Sequence, residues 1–344
     1  MRIIVLGMHR SGTSVVAGLL NLMGAYFAPD EVALPADMTN PKGYWERKDV
    51  IIANKTLMET MGATWHQISQ WDINQATDAQ KYKFKQQLEP ILYNLNQHQH
   101  WMLKDPRLCL TLPLWQPQLD NPIYVVVYRN PIQIAQSLHK RNQFSLHTGL
   151  ALWERYTLDA LHAIQDKPKV LVSFHDLVQN PLETVKNLYQ SIENIQSGLK
   201  LPSDADIIGF VQPTYMHQRG NNHLLKAFAN QPQLNLVQQL EQKMIFHSVL
   251  SELSEGAQAI LQQHDLQFQQ QQQIKQLTDE KQQFEYWLDS LSGDMQKTFN
   301  SQTWRLGELF TNIALKILGK KRGQMAKDNV QRLIAEYQDW KLKQ

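Results

Sequence analysis

The chain has 344 residues, 42% hydrophobic and 19% charged, with a formal net charge of +2. That suffices for a large packed core and is too little charge for a dedicated nucleic-acid binder, so any anion recognition must be local. A single cysteine, Cys109, excludes a disulfide framework and a cysteine zinc site. No histidine pair, His98 and His100 included, carries carboxylates at ligand spacing, and no metal is expected.

Met1-Arg2 leads directly into the apolar residues 3–6, too short for a signal-peptide core, and no membrane-spanning apolar run follows. A cytoplasmic protein is expected. Residues 2–6 form the first predicted strand, followed by a helix over 13–23. Strands are then predicted over 101–104, 123–128 and 169–174, and helices over 80–95, 132–140, 149–164 and 181–192. The continuous run Ile123-Tyr124-Val125-Val126-Val127-Tyr128 suits a strand buried on both faces. Asn180, Pro181 and Glu183 supply N-cap, N1 and N3 chemistry for the last of these helices. The alternation predicts an α/β fold, a P-loop-like three-layer domain with a central parallel sheet.

The character changes after about residue 220, and no strands are predicted from Gln231 onward. Ile274, Leu277, Phe284, Leu288, Leu291 and Met295 fall on one heptad register, which suits a bundle helix or a short coiled coil. Residues 304–322 then read as an amphipathic helix ending in Lys320, Lys321 and Arg322. Such a helix lies in an anionic membrane interface, or packs on the catalytic domain or a second subunit. The expected organisation is a catalytic domain over 1–225 and a helical appendage over 226–344.

The most informative string is Gly7-Met8-His9-Arg10-Ser11-Gly12-Thr13-Ser14, which follows the first strand and opens a helix. Backbone N–H groups of such a turn, with the helix N-terminus, cradle a phosphate, though a structural turn also uses glycines. An ATP or GTP loop carries Lys after its last glycine. Here Thr13 stands in that place and the cation is Arg10, inside the loop. A dinucleotide fingerprint is absent because position 9 is His.

In this loop the chain resembles the sulfotransferases that use 3′-phosphoadenosine-5′-phosphosulfate (PAPS), whose Lys or Arg before Ser-Gly-Thr grips the 5′-phosphosulfate. The resemblance implies that Gly7, His9, Arg10, Ser11, Gly12, Thr13 and Ser14 hold the donor, releasing 3′,5′-bisphosphoadenosine (PAP) with no metal required. Tyr128-Arg129-Asn130-Pro131 ends the third strand, and Ser137 follows Arg129 by eight residues. Ligands of open α/β sheets bind at carboxyl ends of strands. Arg129 and Ser137 match the family's 3′-phosphate pair in spacing.

For the chemistry, Arg10 is placed to stabilise the leaving phosphate. Asn40-Pro41-Lys42-Gly43-Tyr44-Trp45-Glu46 is a loop in which partial burial would raise Glu46 toward general-base values, a role similar family members give to a Glu from this region. The alternative is a surface Glu46 paired with Arg47 or Lys48. Lys104-Asp105-Pro106-Arg107 resembles a Lys-Asp-Pro segment of tyrosylprotein and carbohydrate sulfotransferases, which implies that Lys104 neutralises sulfuryl oxygens. Acceptor contacts are assigned to Trp45, Asp105, Arg107, and to His217 and Arg219 of a basic, Gly-containing loop.

Ser301-x-x-Trp304-Arg305-Leu306 is similar to tail segments of bacterial glycosyltransferases that build surface polysaccharides. The implied acceptor is a glycan or glycolipid hydroxyl, or an amine, met at the inner membrane face. Implied partners are that acceptor, a peripheral membrane contact or self-association through the C-terminal helices, and no nucleic acid. A P-loop kinase or hydrolase and a non-catalytic scaffold are the competing readings.

Overall fold

The computed structural model describes residues 1–37, 42–211, 222–243, 251–319 and 326–342. Asn40, Pro41, His217, Arg219 and the basic residues 320–322 lie outside them. Four strands, β1 (Arg2–Leu6), β2 (Trp101–Lys104), β3 (Ile123–Tyr128) and β4 (Lys169–Ser173), pair in parallel in the order β2-β1-β3-β4. Side chains alternate between two cores, as the strand period requires. Ile4, Leu6, Leu103, Tyr124 and Val126 enter one core, whereas Ile3, Val5, Met102, Val125, Val127 and Val172 enter the other.

Helix α1 (Thr13–Leu22) follows β1, and α2 (Lys48–Thr60) and α3 (Asp78–Leu95) lead to β2. Next come α4 (Leu108–Trp115), then α5 (Pro131–Asn142) and α6 (Leu146–Ala163) between β3 and β4. After β4 follow α7 (Phe174–Gln179), α8 (Pro181–Ile195) and α9 (Asp204–Phe210). Val16 and Leu20 of α1, Val185 and Leu188 of α8 and Ile207 of α9 cover one sheet face. Leu57, Leu88, Leu112, Trp153 and Tyr156 of α2, α3, α4 and α6 cover the other, which gives the three layers expected. The chain leaves β1 for β2 and then crosses to β3 on the opposite side, so the topological switch point lies between β1 and β3.

Two local expectations change. Phe174 opens α7 instead of closing β4, because the Ser173 hydroxyl accepts from the Asp176 N–H and caps the helix. Asn180 is the N-cap of α8 without a side-chain cap bond; its own N–H donates to the Asp176 carbonyl at 2.7 Å.

The boundary expected near residue 225 also moves. Beyond α10 (Asn222–Phe228), Leu236 and Leu240 of α11 (Gln231–Glu241) and Ala257 and Leu261 of α12 (Glu255–Asn300) are buried in the same core as α6. The Glu154 carboxylate of α6 accepts from the Ser254 N–H at 2.7 Å and from its hydroxyl at 3.0 Å. The compact unit holding the sheet therefore spans Met1–Gln267.

The second unit, Phe268–Gln344, contains the remainder of α12, then α13 (Gln302–Ile317) and α14 (Ala326–Leu342). Within it the Tyr337 hydroxyl donates to the Glu285 carbonyl, and the Phe299 and Trp304 rings meet edge to face. Leu306, Leu309, Phe310, Ile313 and Ile317 of α13 are exposed, as are Ile274, Leu277, Phe284 and Leu291 of the heptad series. Among the described residues no helix is long and apolar enough to cross a membrane.

Each fully buried leucine of α11 and α12 contributes about 2 kcal/mol by burial alone. A chain ended at residue 225 is therefore expected to lose cooperative thermal unfolding, whereas one ended at Gln267 keeps it. Superimposable calorimetric melts of the two would contradict this.

Candidate active site

The loop between β1 and α1 is held in a path that its residue types dictate. Gly7 has φ +154° and a Cβ there would lie 2.7 Å from the Val127 carbonyl oxygen; Gly12 has φ +96° and its Cβ would enter the Phe174 ring at 2.1 Å. Only glycine fits either place. Arg10 is itself left-handed, at φ 70°. The Gly7 N–H donates to the Cys109 thiol at 3.2 Å, and burial pushes that thiol up to about 12, so it stays a neutral anchor. Gly12 is the N-cap of α1 and no side chain caps the helix, which leaves first-turn N–H groups for an anion. The Ser11 hydroxyl donates to the Met8 carbonyl at 2.6 Å, so this expected donor ligand spends its hydroxyl on holding the loop.

Across the switch point, Arg129 extends from the end of β3. Its Nε donates to Gln133 Oε1 at 2.8 Å and its Nη1 to the Arg10 carbonyl at 3.2 Å. Its guanidinium lies over the Phe174 ring, 4.7 Å from the centroid. The remaining Nη2 is buried with no partner among the described residues. Burial and then the neighbouring Arg10 push Arg129 down to about 10. Arg10 Nε in turn donates to Ser137 Oγ at 2.9 Å, so the two residues expected at separate phosphate sites are joined through one side chain. A buried guanidinium with an unused N–H beside a second cation is arranged for an oxyanion.

The end of β2 adds a buried ion pair. Lys104 Nζ donates to Ser14 Oγ at 3.0 Å, to the Tyr44 carbonyl at 3.1 Å and to the Glu46 carboxylate. Both partners of that ion pair are buried, and Glu46 is not the surface residue of the alternative reading. Arg47, the partner proposed there, forks instead onto Asp49 and bonds Phe27 O and Asn94. The turn that aims Glu46 inward needs Trp45 in the left-handed region, at φ 56°, and the Glu46 carbonyl accepts from the Leu34 N–H. Burial raises the Glu46 carboxyl above its ordinary range, Lys104 draws it back and Asp105 raises it again. Asp105 itself is fully engaged: Oδ2 accepts from Asn54 Nδ2 at 2.9 Å and Oδ1 from Arg107 Nη1 at 2.9 Å.

His9 lies among these groups. Its ring packs on Trp65 (4.7 Å) and Tyr156 (5.8 Å), and its Nε2 is buried without a partner among the described residues. Burial, then Arg107, Arg141, Lys104 and Arg10, hold it well below the usual imidazole range and therefore neutral. Trp45 is the residue that does not join the cluster. Its ring packs on Phe27 and Phe210, close to Gly18, as part of the α1-side core. The sequence reading missed Asn54, Gln133, Arg141, Trp65 and Phe174. Gln133, Ser137 and Arg141 recur every four residues, a helical spacing that was available to find them.

The Glu46–Lys104 pair makes a prediction about pH. Without Lys104 the carboxyl rises further, so the folded chain holds a proton that the unfolded chain releases, and stability falls as pH rises through that interval. Lys104→Met is expected to lose about 3 kcal/mol at neutral pH and to regain part of it near about pH 4. Denaturant unfolding at both pH values checks this; a loss independent of pH would count against the pair.

The model of the sulfotransferase family matches residues 2–194, more than half of the chain. No curated protein matches. Among solved structures, the chain is similar to the sulfotransferase domain of the Synechococcus PCC 7002 olefin synthase at 14% identity and TM-score 0.38, covering 77% of this chain and 94% of that one. It is also similar to the sulfotransferase domain from the curacin biosynthetic pathway, at 15% identity and TM-score 0.35, covering 76% and 96%. A Mycobacterium tuberculosis sulfotransferase is similar at 16% identity and TM-score 0.41, over 56% of this chain and 67% of that one. The matched span runs from β1 into α8 and contains the glycine loop, Glu46, Lys104 and Arg129, and the chain belongs to the sulfotransferase family.

Proposed function

We propose that the chain moves a sulfuryl group from PAPS to a hydroxyl or amine of a glycan or glycolipid. The observation that carries the donor assignment is Arg129, buried with an unused Nη2 beside Arg10 and the uncapped start of α1. PAPS has two anionic ends, and the loop suits the 5′ end while Arg129 and Ser137 suit the 3′-phosphate. When bound it supplies an activated sulfuryl group on a phosphate leaving group.

The chain's own residues then divide the work. Backbone N–H groups of the loop and Arg10 hold the leaving phosphate and balance its growing charge. Lys104, which already touches Ser14 of the loop, turns its ammonium to the sulfuryl oxygens. That frees Glu46, held above the ordinary carboxyl range, to take the acceptor's proton. Asp105 has no free oxygen and acts by orienting Arg107.

PAP is expected to bind without Mg²⁺, and Arg129→Ala to weaken it by about 1.5–3 kcal/mol in calorimetry. Equal affinity for nucleotides lacking the 3′-phosphate would contradict the two-site donor. Glu46→Gln is expected to cut turnover by about 10²-fold while leaving PAP affinity nearly unchanged.

The tail supports a place for the reaction. Leu306, Leu309, Phe310, Ile313 and Ile317 form an exposed stripe on α13, Lys316 lies in its last turn, and the sequence continues to Lys320, Lys321 and Arg322. An apolar stripe with a basic end binds an anionic bilayer surface, gaining about 1 kcal/mol per basic residue. Full-length protein is expected to sediment with phosphatidylserine-containing vesicles at low salt and less at high salt. A chain ended at Asn300 should not; equal sedimentation of both would remove α13 from the contact.

A further inference from the structure

Gln133, Ser137 and Arg141 stand at intervals of four on α5 and share one face of it. The depth of that face is fixed by the crossing of α5 over α6, where a Cβ at Gly149 would lie 2.6 Å from the Ala135 Cα. Gln133 accepts from Arg129 and Ser137 from Arg10, so the first two positions serve the two arginines of the donor site. Arg141, one turn further, points past them. Its Nε donates to Asn142 Oδ1 at 2.8 Å, and its guanidinium stands 5.6 Å from the centroid of the Trp65 ring. No carboxylate among the described residues forms an ion pair with it.

Trp65 is half-buried and firmly backed. Its carbonyl accepts from the Tyr156 hydroxyl at 2.7 Å, and its ring rests on His9 at 4.7 Å and Phe144 at 5.8 Å. Behind it, His66 Nδ1 and His264 Nε2 are 3.0 Å apart, and the Ser69 N–H donates to Asp265 at 2.9 Å. These bonds tie the Trp65 segment to the first turns of α12. His9 joins this platform to the glycine loop, and its buried Nε2 has no partner among the described residues. A flat ring, an unpaired guanidinium over it and a neutral imidazole with a spare nitrogen therefore meet beside the loop. The ring takes the apolar face of a sugar, the guanidinium takes a carboxylate in a forked pair, and the imidazole takes a hydroxyl.

The geometry points to an acceptor subsite formed by Trp65, Arg141 and His9 that selects a carboxylate-bearing sugar, such as a uronic acid unit, as the group presented to the donor. This rests on the sulfotransfer to a glycan proposed above and names the acceptor class of the same site.

The test uses full-length protein saturated with PAP, titrated calorimetrically with p-nitrophenyl β-D-glucuronide and with the neutral p-nitrophenyl β-D-glucoside. The glucuronide is expected to bind about tenfold more tightly, the scale of one charge-assisted contact. Arg141→Met should erase that preference with PAP affinity unchanged, and Arg141→Lys should keep part of it because it retains charge without the fork. Equal affinities, no glucuronide binding, or a preference that survives Arg141→Met would overturn the subsite. A fall in PAP affinity in Arg141→Met would do so too, by assigning Arg141 to the donor. If PAP does not bind the wild-type chain, the donor reading fails separately, and the same two probes on the unliganded protein still decide the subsite.

Discussion

An excess of cations over carboxylates at the ends of three strands governs this molecule. Arg10, Lys104, Arg107, Arg129 and Arg141 all act on one another or on His9, and the carboxylates set among them are Glu46 and Asp105. Asp105 is consumed by Arg107 and Asn54, and Glu46 by Lys104. Among the described residues, the arginines at the switch point have no such relief. Burial first, and then the neighbouring cations, keep His9 neutral and draw Arg129 down, and an entering anion would offset the charge part of both. On the donor proposed above, that unbalanced charge would supply the affinity.

Holding like charges together requires a scaffold that does not yield. The sheet supplies it through strands whose side chains are buried on both faces, so their ends are fixed in register: Val5 lies opposite both Lys104 and Val125. Gly7 and Gly12 let the loop pass under Val127 and Phe174, and any side chain there collides. Gly149 against Ala135 sets α5, and with it Gln133, Ser137 and Arg141. The glycines therefore act on function through packing, and their replacement would move charged groups relative to one another.

Much of this was legible in the sequence because its signals are local. Runs of Val and Ile mark three of the strands and the apolar run Trp101-Met102-Leu103 marks β2, and the glycine loop and the strand-end Arg129 were found from neighbours in the chain. Lys104 and Glu46 were identified separately; that they form one buried pair depends on β2 lying beside β1, which no short string encodes. Trp45 was expected to contact the acceptor; its backbone is left-handed and its ring packs, partly buried, on Phe27 and Phe210 of the α1-side core, a placement that depends on contacts distant in the chain. Trp65, the platform of the acceptor subsite proposed above, meets His9 from one distant segment and Arg141 and Phe144 from another. The compact unit extends past the boundary expected near residue 225, to Gln267, for a related reason. Glutamine dominates the helices beyond it, yet Leu236, Leu240 and Leu261 are spaced to reach the core.

The central claim is that the unused N–H of Arg129 and the uncapped start of α1 are the two ends of one donor site. A crystal structure of the protein with PAP tests it most directly. The account predicts the 3′-phosphate within hydrogen-bond distance of Arg129 Nη2 and the 5′-phosphate against the backbone N–H groups that open α1. PAP bound elsewhere, or bound with Arg129 Nη2 still unpartnered, would contradict it.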